Sequence, residues 1–373
     1  MGTSNKSPFI IKSWQKLPLR YNYSMPSMNN SPSLNIPGVA ELTPGYVDPN
    51  LELLNKVIKF EDFRPALVKL CHYGKMGRPH YDEVRMFKIL ILQSLYNLSD
   101  VMMEAALKDR RSFAHFLSMS DVDKVPDSNT IRGFRERLGE KGVRELFKRF
   151  KKQMKKKGLR CSKGIMVDAT FQLVPIQRNT PEENKHIKEK QSAPEGWSAK
   201  KRAHKDVEAG FTKKGGVTYY GYKGHVAADE KTKIILNYKT TTASTHDSQV
   251  CAELLPEEGD NKSVEVLADS GYMGEKNRKE LKAKGAKPRI MQRRVRGQKE
   301  LTERQKRRNT AIARRRCRIE HIFGMIKQFG GDIFRGVGLS RCCIRQGLVF
   351  LAYNMKRLCF LERTGQLCPE TEK

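Results

Sequence analysis

The chain has 373 residues, 38% hydrophobic and 30% charged, and its 72 Lys and Arg outnumber 41 acidic residues to give a net charge of +31. This composition excludes a disordered tail and leaves room for two domains with a sizeable core, while no run approaches the roughly 18 apolar residues of a membrane span. A positive field of this size selects a polyanion partner, nucleic acid first and an anionic membrane surface second.

Residues 1–49 are rich in Ser, Asn, Pro and Gly and read as a flexible arm, in which Lys12, Lys16, Arg20, Tyr21 and Tyr23 offer contacts to nucleic acid. Phe9–Ile11 is too short for a signal-peptide core. From residue 50 to 158 the pattern is helical. Tyr81–Leu98 suits a central core helix, and Val101–Phe116 a second. Asp127 or Ser128 then caps a basic helix carrying Arg132 and Arg135, a helix-turn-helix-like order that predicts an all-α DNA-binding domain. A basic stretch at Arg144–Lys157 closes it.

After Leu159 the character changes to strands. Gly164–Val174 alternates as a strand, and Arg178–Gly216 reads as an extended loop around Trp197. Val217–Ala228 and Ile234–Thr242 form a hairpin about a turn at Asp229–Thr232, and Asp247–Leu255 reads as a short helix. Val264–Ala268 is a fourth strand, followed by a helix at Glu275–Lys284, a strand at Pro288–Met291 and a helix at Ala313–Gln328. The order β-β-β-α-β-α-β-α predicts an α/β domain over 159–362, with a mixed sheet flanked by helices and a tail at 363–373.

Within this layout three carboxylates stand out. Asp168 lies inside an apolar strand, where a charge is costly unless paired. Asp269 ends the fourth strand before a Gly turn, where open α/β sheets place ligands. Glu320 shares a helix with an apolar stripe of Ile319, Ile322, Phe323 and Ile326, while Arg316 and Lys327 fall within roughly 40° of it. Three converging carboxylates make an oxygen-rich site for Mg²⁺ or Mn²⁺, with space for two ions roughly 4 Å apart, suited to displacement at phosphorus. The plain readings are a strand carboxylate paired with a base, a strand-end turn residue and a solvated Arg/Glu pair.

These blocks resemble the bacterial insertion-sequence transposases with an RNase H-like DDE catalytic domain, in the group with the Y-(2)-R-(3)-E-(6)-K signature. Arg316, Glu320 and Lys327 keep that spacing; VDAT at Asp168, YYGYKGHVAAD from Tyr219, ADSGYMG at Asp269 and the tail RGVGLSRCCIRQGLVFLAYNMKRL look like the family's blocks. The signature's Tyr falls on Ala313, a departure from the pattern. The resemblance implies Asp168, Asp269 and Glu320 as a metal-binding triad, and Arg316 and Lys327 as contacts to double-stranded DNA near the cleaved phosphate. It implies binding to terminal inverted repeats, strand cleavage and strand transfer, performed by a homo-oligomer. A catalytically inactive or domesticated DNA-binding protein, and a metal nuclease of the same fold without strand transfer, are the alternatives.

Other residues divide between two roles. Gln292–Arg318 carries twelve Lys or Arg, among them Arg293, Arg294, Arg307, Arg308, Arg314 and Arg315, against Glu300 and Glu303, and reads as a groove for a DNA backbone. His246 and Asp247 stand at a helix start, where Asp caps the helix or serves a nearby active site. Trp197 stacks on a displaced base or caps a small apolar cluster, and His321 packs. The eight cysteines lack C-x-x-C spacing, which points to free thiols in a reducing cytoplasm and away from zinc.

Overall fold

The amino-terminal helices start on side-chain caps. Asp48 accepts from the Asn50 amide at 2.9 Å and opens α1 (Pro49–Val57). Asp82 does the same for α3 (Glu83–Leu95), and Ser99 for α4 (Asp100–Asp109). Between them α2 (Arg64–Cys71) follows a short 3₁₀ turn. The single helix expected over Val101–Phe116 is two, because Arg110 is extended (φ −92°, ψ 104°) and α5 (Arg111–Leu117) starts afresh. Asp127 is the cap of α6 (Ser128–Lys156), accepting from Thr130 at 2.6 Å. Gly139 kinks α6 at φ 58°, ψ −177°, a conformation open to glycine alone without strain.

The computed structural model describes residues 47–71, 80–120, 122–159, 164–190, 192–255, 264–294 and 297–366. Nearly all of the expected arm, including Lys12, Lys16, Arg20, Tyr21 and Tyr23, lies outside these residues, as does the tail beyond 366.

The sheet is mixed, as expected. Its central strand β1 (Gly164–Leu173) pairs antiparallel with the long β3 (Val217–Asp229), which pairs antiparallel with β4 (Ile235–Thr242). On its other side β1 runs parallel to β5 (Glu265–Ala268), and β5 parallel to β6 (Lys287–Ile290). The helix α9 (Glu275–Ala283) makes the crossover. The expected helix at Asp247–Leu255 is instead two 3₁₀ turns, Asp247–Gln249 and Ala252–Leu254.

The expected loop at Arg178–Gly216 contains α7 (Pro181–Lys190), α8 (Ala199–His204) and β2 (Gly210–Lys214), which pairs with the first residues of β3. Neither helix buries a residue, so no apolar period announces them. Their signals are caps: Thr180 accepts from the Glu183 amide at 3.3 Å, and Ser198 from Lys201 at 3.2 Å.

The expected helix at Ala313–Gln328 is also divided. One helix, α10, spans Glu303–Arg316, and α11 spans Arg318–Gln328. At the joint the Glu320 amide reaches back only to Cys317, at 3.1 Å, in the tighter 3₁₀ pattern.

The last helix, α12 (Leu339–Arg363), is buried along most of its length. It packs on α1, α3 and α6 as well as on β4. Phe147 of α6, Tyr238 of β4 and Phe350 of α12 stack edge to face at 5.0 and 5.3 Å. One hydrophobic core therefore runs from the helices into the sheet. Among the described residues six cysteines are free thiols, and no helix is long and apolar enough to cross a membrane.

Polar side chains of α12 also hold the β3–β4 turn. Asn354, fully buried, accepts from the Ile235 amide at 2.9 Å and donates to its carbonyl at 2.8 Å. Tyr353 and Arg357 donate to the carbonyls of Lys233 and Thr232. Replacing Asn354 with Leu keeps the volume but strands both backbone groups of Ile235, a loss of ~2–5 kcal/mol. Equilibrium urea unfolding is expected to show a lowered midpoint; an unchanged midpoint would mean that the clamp contributes nothing.

Candidate active site

Asp168 sits at the middle of β1, opposite Val226 of β3. Its neighbours Val167 and Val226 are fully buried, and only 19% of its own side chain is exposed. Arg316, the last residue of α10, donates to its Oδ2 at 2.5 Å, and the Ala169 amide donates to Oδ1 at 2.9 Å. Burial pushes the Asp168 pKa above the ordinary carboxylate value, Arg316 pulls against it, and the charge of Asp269 adds to the rise.

Asp269 arrives through the parallel pairing. Met166 of β1 lies opposite Leu267 of β5, so Asp168 and Asp269 each stand two residues past one aligned pair. The Asp269 side chain accepts from the Gly271 amide at 2.8 Å and caps the 3₁₀ turn Ser270–Tyr272. That turn delivers Tyr272, a fully buried residue the sequence reading passed over. Its hydroxyl has no hydrogen-bond partner among the described residues. Burial and then the fields of Asp168, Asp247 and Asp269 hold its pKa well above the phenol value. The Arg316 Nε is likewise enclosed without a partner.

Two adjacent carboxylates and an orphaned buried hydroxyl fit a hydrated hard cation, whose water satisfies the hydroxyl. Such a cation supplies Lewis-acid stabilisation of charge developing on a phosphoryl group. The third carboxylate stands differently. Glu320, in the first turn of α11, is exposed. Among the described residues no three His, Cys, Asp or Glu side chains stand close enough to hold a metal ion. The structure thus brings Asp168 and Asp269 together and leaves Glu320 outside that pair. Mutual repulsion keeps carboxylates apart unless a cation lies among them.

The base-rich segment divides into internal and external arginines. Arg315 points inward: it donates to both oxygens of Glu230, at 2.8 and 2.5 Å, and pairs with Glu265. Its hydrogen bond, with that of Arg289, holds the Glu265 pKa below the usual value. Arg135 donates two hydrogen bonds to Asp100, both 2.7 Å. These two expected DNA contacts are committed to carboxylates of the protein itself. By contrast Arg304, Arg307, Arg308 and Arg314 are exposed along α10, and none makes an ion pair among the described residues. Arg293, Arg294, Arg132 and Lys327 are exposed as well; Arg294 donates to the Lys299 carbonyl and Arg132 to the Asn129 side chain.

The accessory residues are placed as follows. His246, rather than Asp247, caps the 3₁₀ turn, its Nδ1 accepting from the Ser248 amide. Asp247 instead pairs at 3.0 Å with Lys223, a nearly buried ammonium that requires a counter-charge. Trp197 is buried, donating from Nε1 to Glu183 at 2.7 Å beneath the Lys201 ammonium. It braces α7 and α8 and presents no face for a base. His321 is exposed rather than packed, and Ala313 is half-buried.

A family model described as "Transposase DDE domain" matches residues 159–355, and one described as "Transposase domain (DUF772)" matches residues 45–137. Among solved structures, the piggyBac transposase synaptic complex with hairpin DNA is similar with a TM-score of 0.43 and 13% identity, covering 85% of this chain and 76% of that chain.

On β3, next to Lys223, His225 is wholly buried, with Nε2 2.8 Å from the Thr241 hydroxyl. Burial pushes its pKa down to about 4 from about 6.5; Asp247 opposes this, and Lys223 and Lys239 add to it. The fold holds the neutral ring. Its contribution to stability is whole above pH 6.5 and is lost as pH falls toward 4, a span of about 3 kcal/mol. Stability measured by urea unfolding is expected to fall over that window in the wild type and to fall less in His225→Gln. Parallel curves would show that His225 is not the group responsible.

Proposed function

The chain belongs to the family of transposases with a DDE domain, whose model spans more than half of its length, and from that premise we propose that this DNA transposase binds the terminal inverted repeats of its element, cuts DNA with a divalent metal and joins the 3′ ends to target DNA. The pairing of Asp168 and Asp269 on adjacent parallel strands carries the reading. DDE domains use divalent metal; Mg²⁺ or Mn²⁺ suits the all-oxygen donor set, and two ions suit in-line displacement. In this reading Asp168, Asp269 and Glu320 are the catalytic and metal-binding triad. Arg316 exchanges its hold on Asp168 for a phosphate beside the scissile bond, and Lys327 adds a second contact. The exposed Arg304, Arg307, Arg308 and Arg314 track the backbone away from the site. Two copies on two element ends, acting on cytoplasmic DNA, complete the scheme.

The test uses a supercoiled plasmid carrying the element ends, with Mg²⁺ or Mn²⁺, and compares the protein with Asp168→Asn, Asp269→Asn and Glu320→Gln. Metal-dependent nicked and joined products are expected, lost by at least ~100-fold in each variant while DNA binding persists. Cut ends without joining would leave a nuclease, and binding without nicking an inactive DNA-binding protein. Full activity in Glu320→Gln would remove that residue from the triad.

A further inference from the structure

A cleft of about 680 Å³ lies between the α3–α4 turn, the start of α6, the segment at 334–336 and the first turns of α12. Five arginines line it against two carboxylates, Asp100 and Glu136. Both carboxylates are already engaged: Asp100 takes both Arg135 bonds and one from Gln93, and Glu136 lies 3.4 Å from Arg341. Arg345, Arg335 and Arg132 remain without an ion pair among the described residues.

Arg345 is the most constrained of them. Its Nη2 donates to the Asn97 side chain at 3.2 Å and to the Gly330 carbonyl at 3.1 Å, while its enclosed Nε has no partner. Burial, then the like charges of Arg135 and Arg335, push its pKa below the ordinary guanidinium value. The site around it is rigid. Asn97 and Gly330 both hold positive φ, and a Cβ on Gly330 would stand 2.2 Å from the Asn97 side chain. A guanidinium held in the cleft wall, beside a second one that makes no ion pair among the described residues, supplies the forked donors by which arginines take phosphate oxygens.

The cleft is tied to the active strand. Leu173, at the end of β1, exchanges backbone hydrogen bonds with Asp332 and Phe334, which leads into Arg335. Leu173 stands five positions along β1 from Asp168, roughly 17 Å by strand rise.

We propose that this cleft is a phosphate site for the DNA backbone, contacted by Arg335 and Arg345 with Arg132 at its rim. The identity of the polyanion rests on the transposase reading.

The test is fluorescence anisotropy of a labelled duplex carrying the element end, titrated with salt against the full chain. Arg335→Gln, Arg345→Gln and, as a control at the far end of α12, Arg363→Gln are compared. Arg335 is exposed and makes no ion pair among the described residues, so its replacement is expected to leave the melting temperature unchanged. The proposal expects Arg335→Gln to lower the salt slope by about one and affinity by about fivefold near physiological salt, with no change in Arg363→Gln. Wild-type slopes in both Arg335→Gln and Arg345→Gln, with nicking retained, would overturn the cleft and leave the transposase reading standing. A wild-type chain that neither binds nor nicks the duplex would overturn both. Inorganic phosphate that raises the melting temperature of the wild type but not of Arg335→Gln, with unchanged DNA slopes, would assign the cleft to a free oxyanion and overturn the DNA site.

Discussion

A carboxylate in the central strand of a sheet has to be neutralised or it unfolds its surroundings, and Asp168 sets that demand here. Arg316 meets it from a helix 148 residues later in the chain. The adjacent Arg315 meets the same kind of demand from Glu230 and Glu265. Two successive residues on a helix point roughly 100° apart, so together they fix the end of α10 in rotation as well as in position. The turn at Cys317 follows at once, and with it the direction in which α11 carries Glu320 and Lys327. The ion pairs thus orient the helix that bears the third carboxylate, even though that carboxylate stays in solvent.

A second constraint acts from behind the sheet. α12 serves the amino-terminal helices and β4 at once, and its Asn354 closes backbone groups that apolar packing cannot satisfy. A shared core also fixes how the basic elements are spaced. α6, α10 and the α12 cleft are held by one core, so arginines far apart in sequence keep fixed spacings. A polymer with regularly spaced charges is matched by such a surface better than by domains that move independently.

Strands β1 and β3 to β6 were legible in the sequence because β-branched alternation announces them, whereas β2 fell inside an expected loop; Asp168 and Asp269 stood out because each breaks a local rule at a strand. The cap Asp127 was equally legible from residue type. What escaped was structure without an apolar period: α7 and α8 bury nothing, so only their caps mark them. Which arginine faces solvent also escaped, since Arg314 and Arg315 are identical in sequence terms. Only the tertiary fold brings Glu230 and Glu265 to Arg315 and leaves Arg314 outside. Tyr272 was missed because an apolar burial pattern says nothing about where a hydroxyl ends.

The position of α12 has a consequence for how the chain is made. Helices α1, α3 and α6 come off the ribosome early, yet a large part of their partner surface belongs to the last helix. Until α12 emerges, those apolar faces have nothing of their own chain to cover them, and the sheet lacks the clamp on its β3–β4 turn. Folding of the described body therefore depends on contacts of very long sequence separation, which are slow to close and leave apolar surface exposed meanwhile. A chain interrupted before α12 would carry the basic helices without a large part of the core that spaces them.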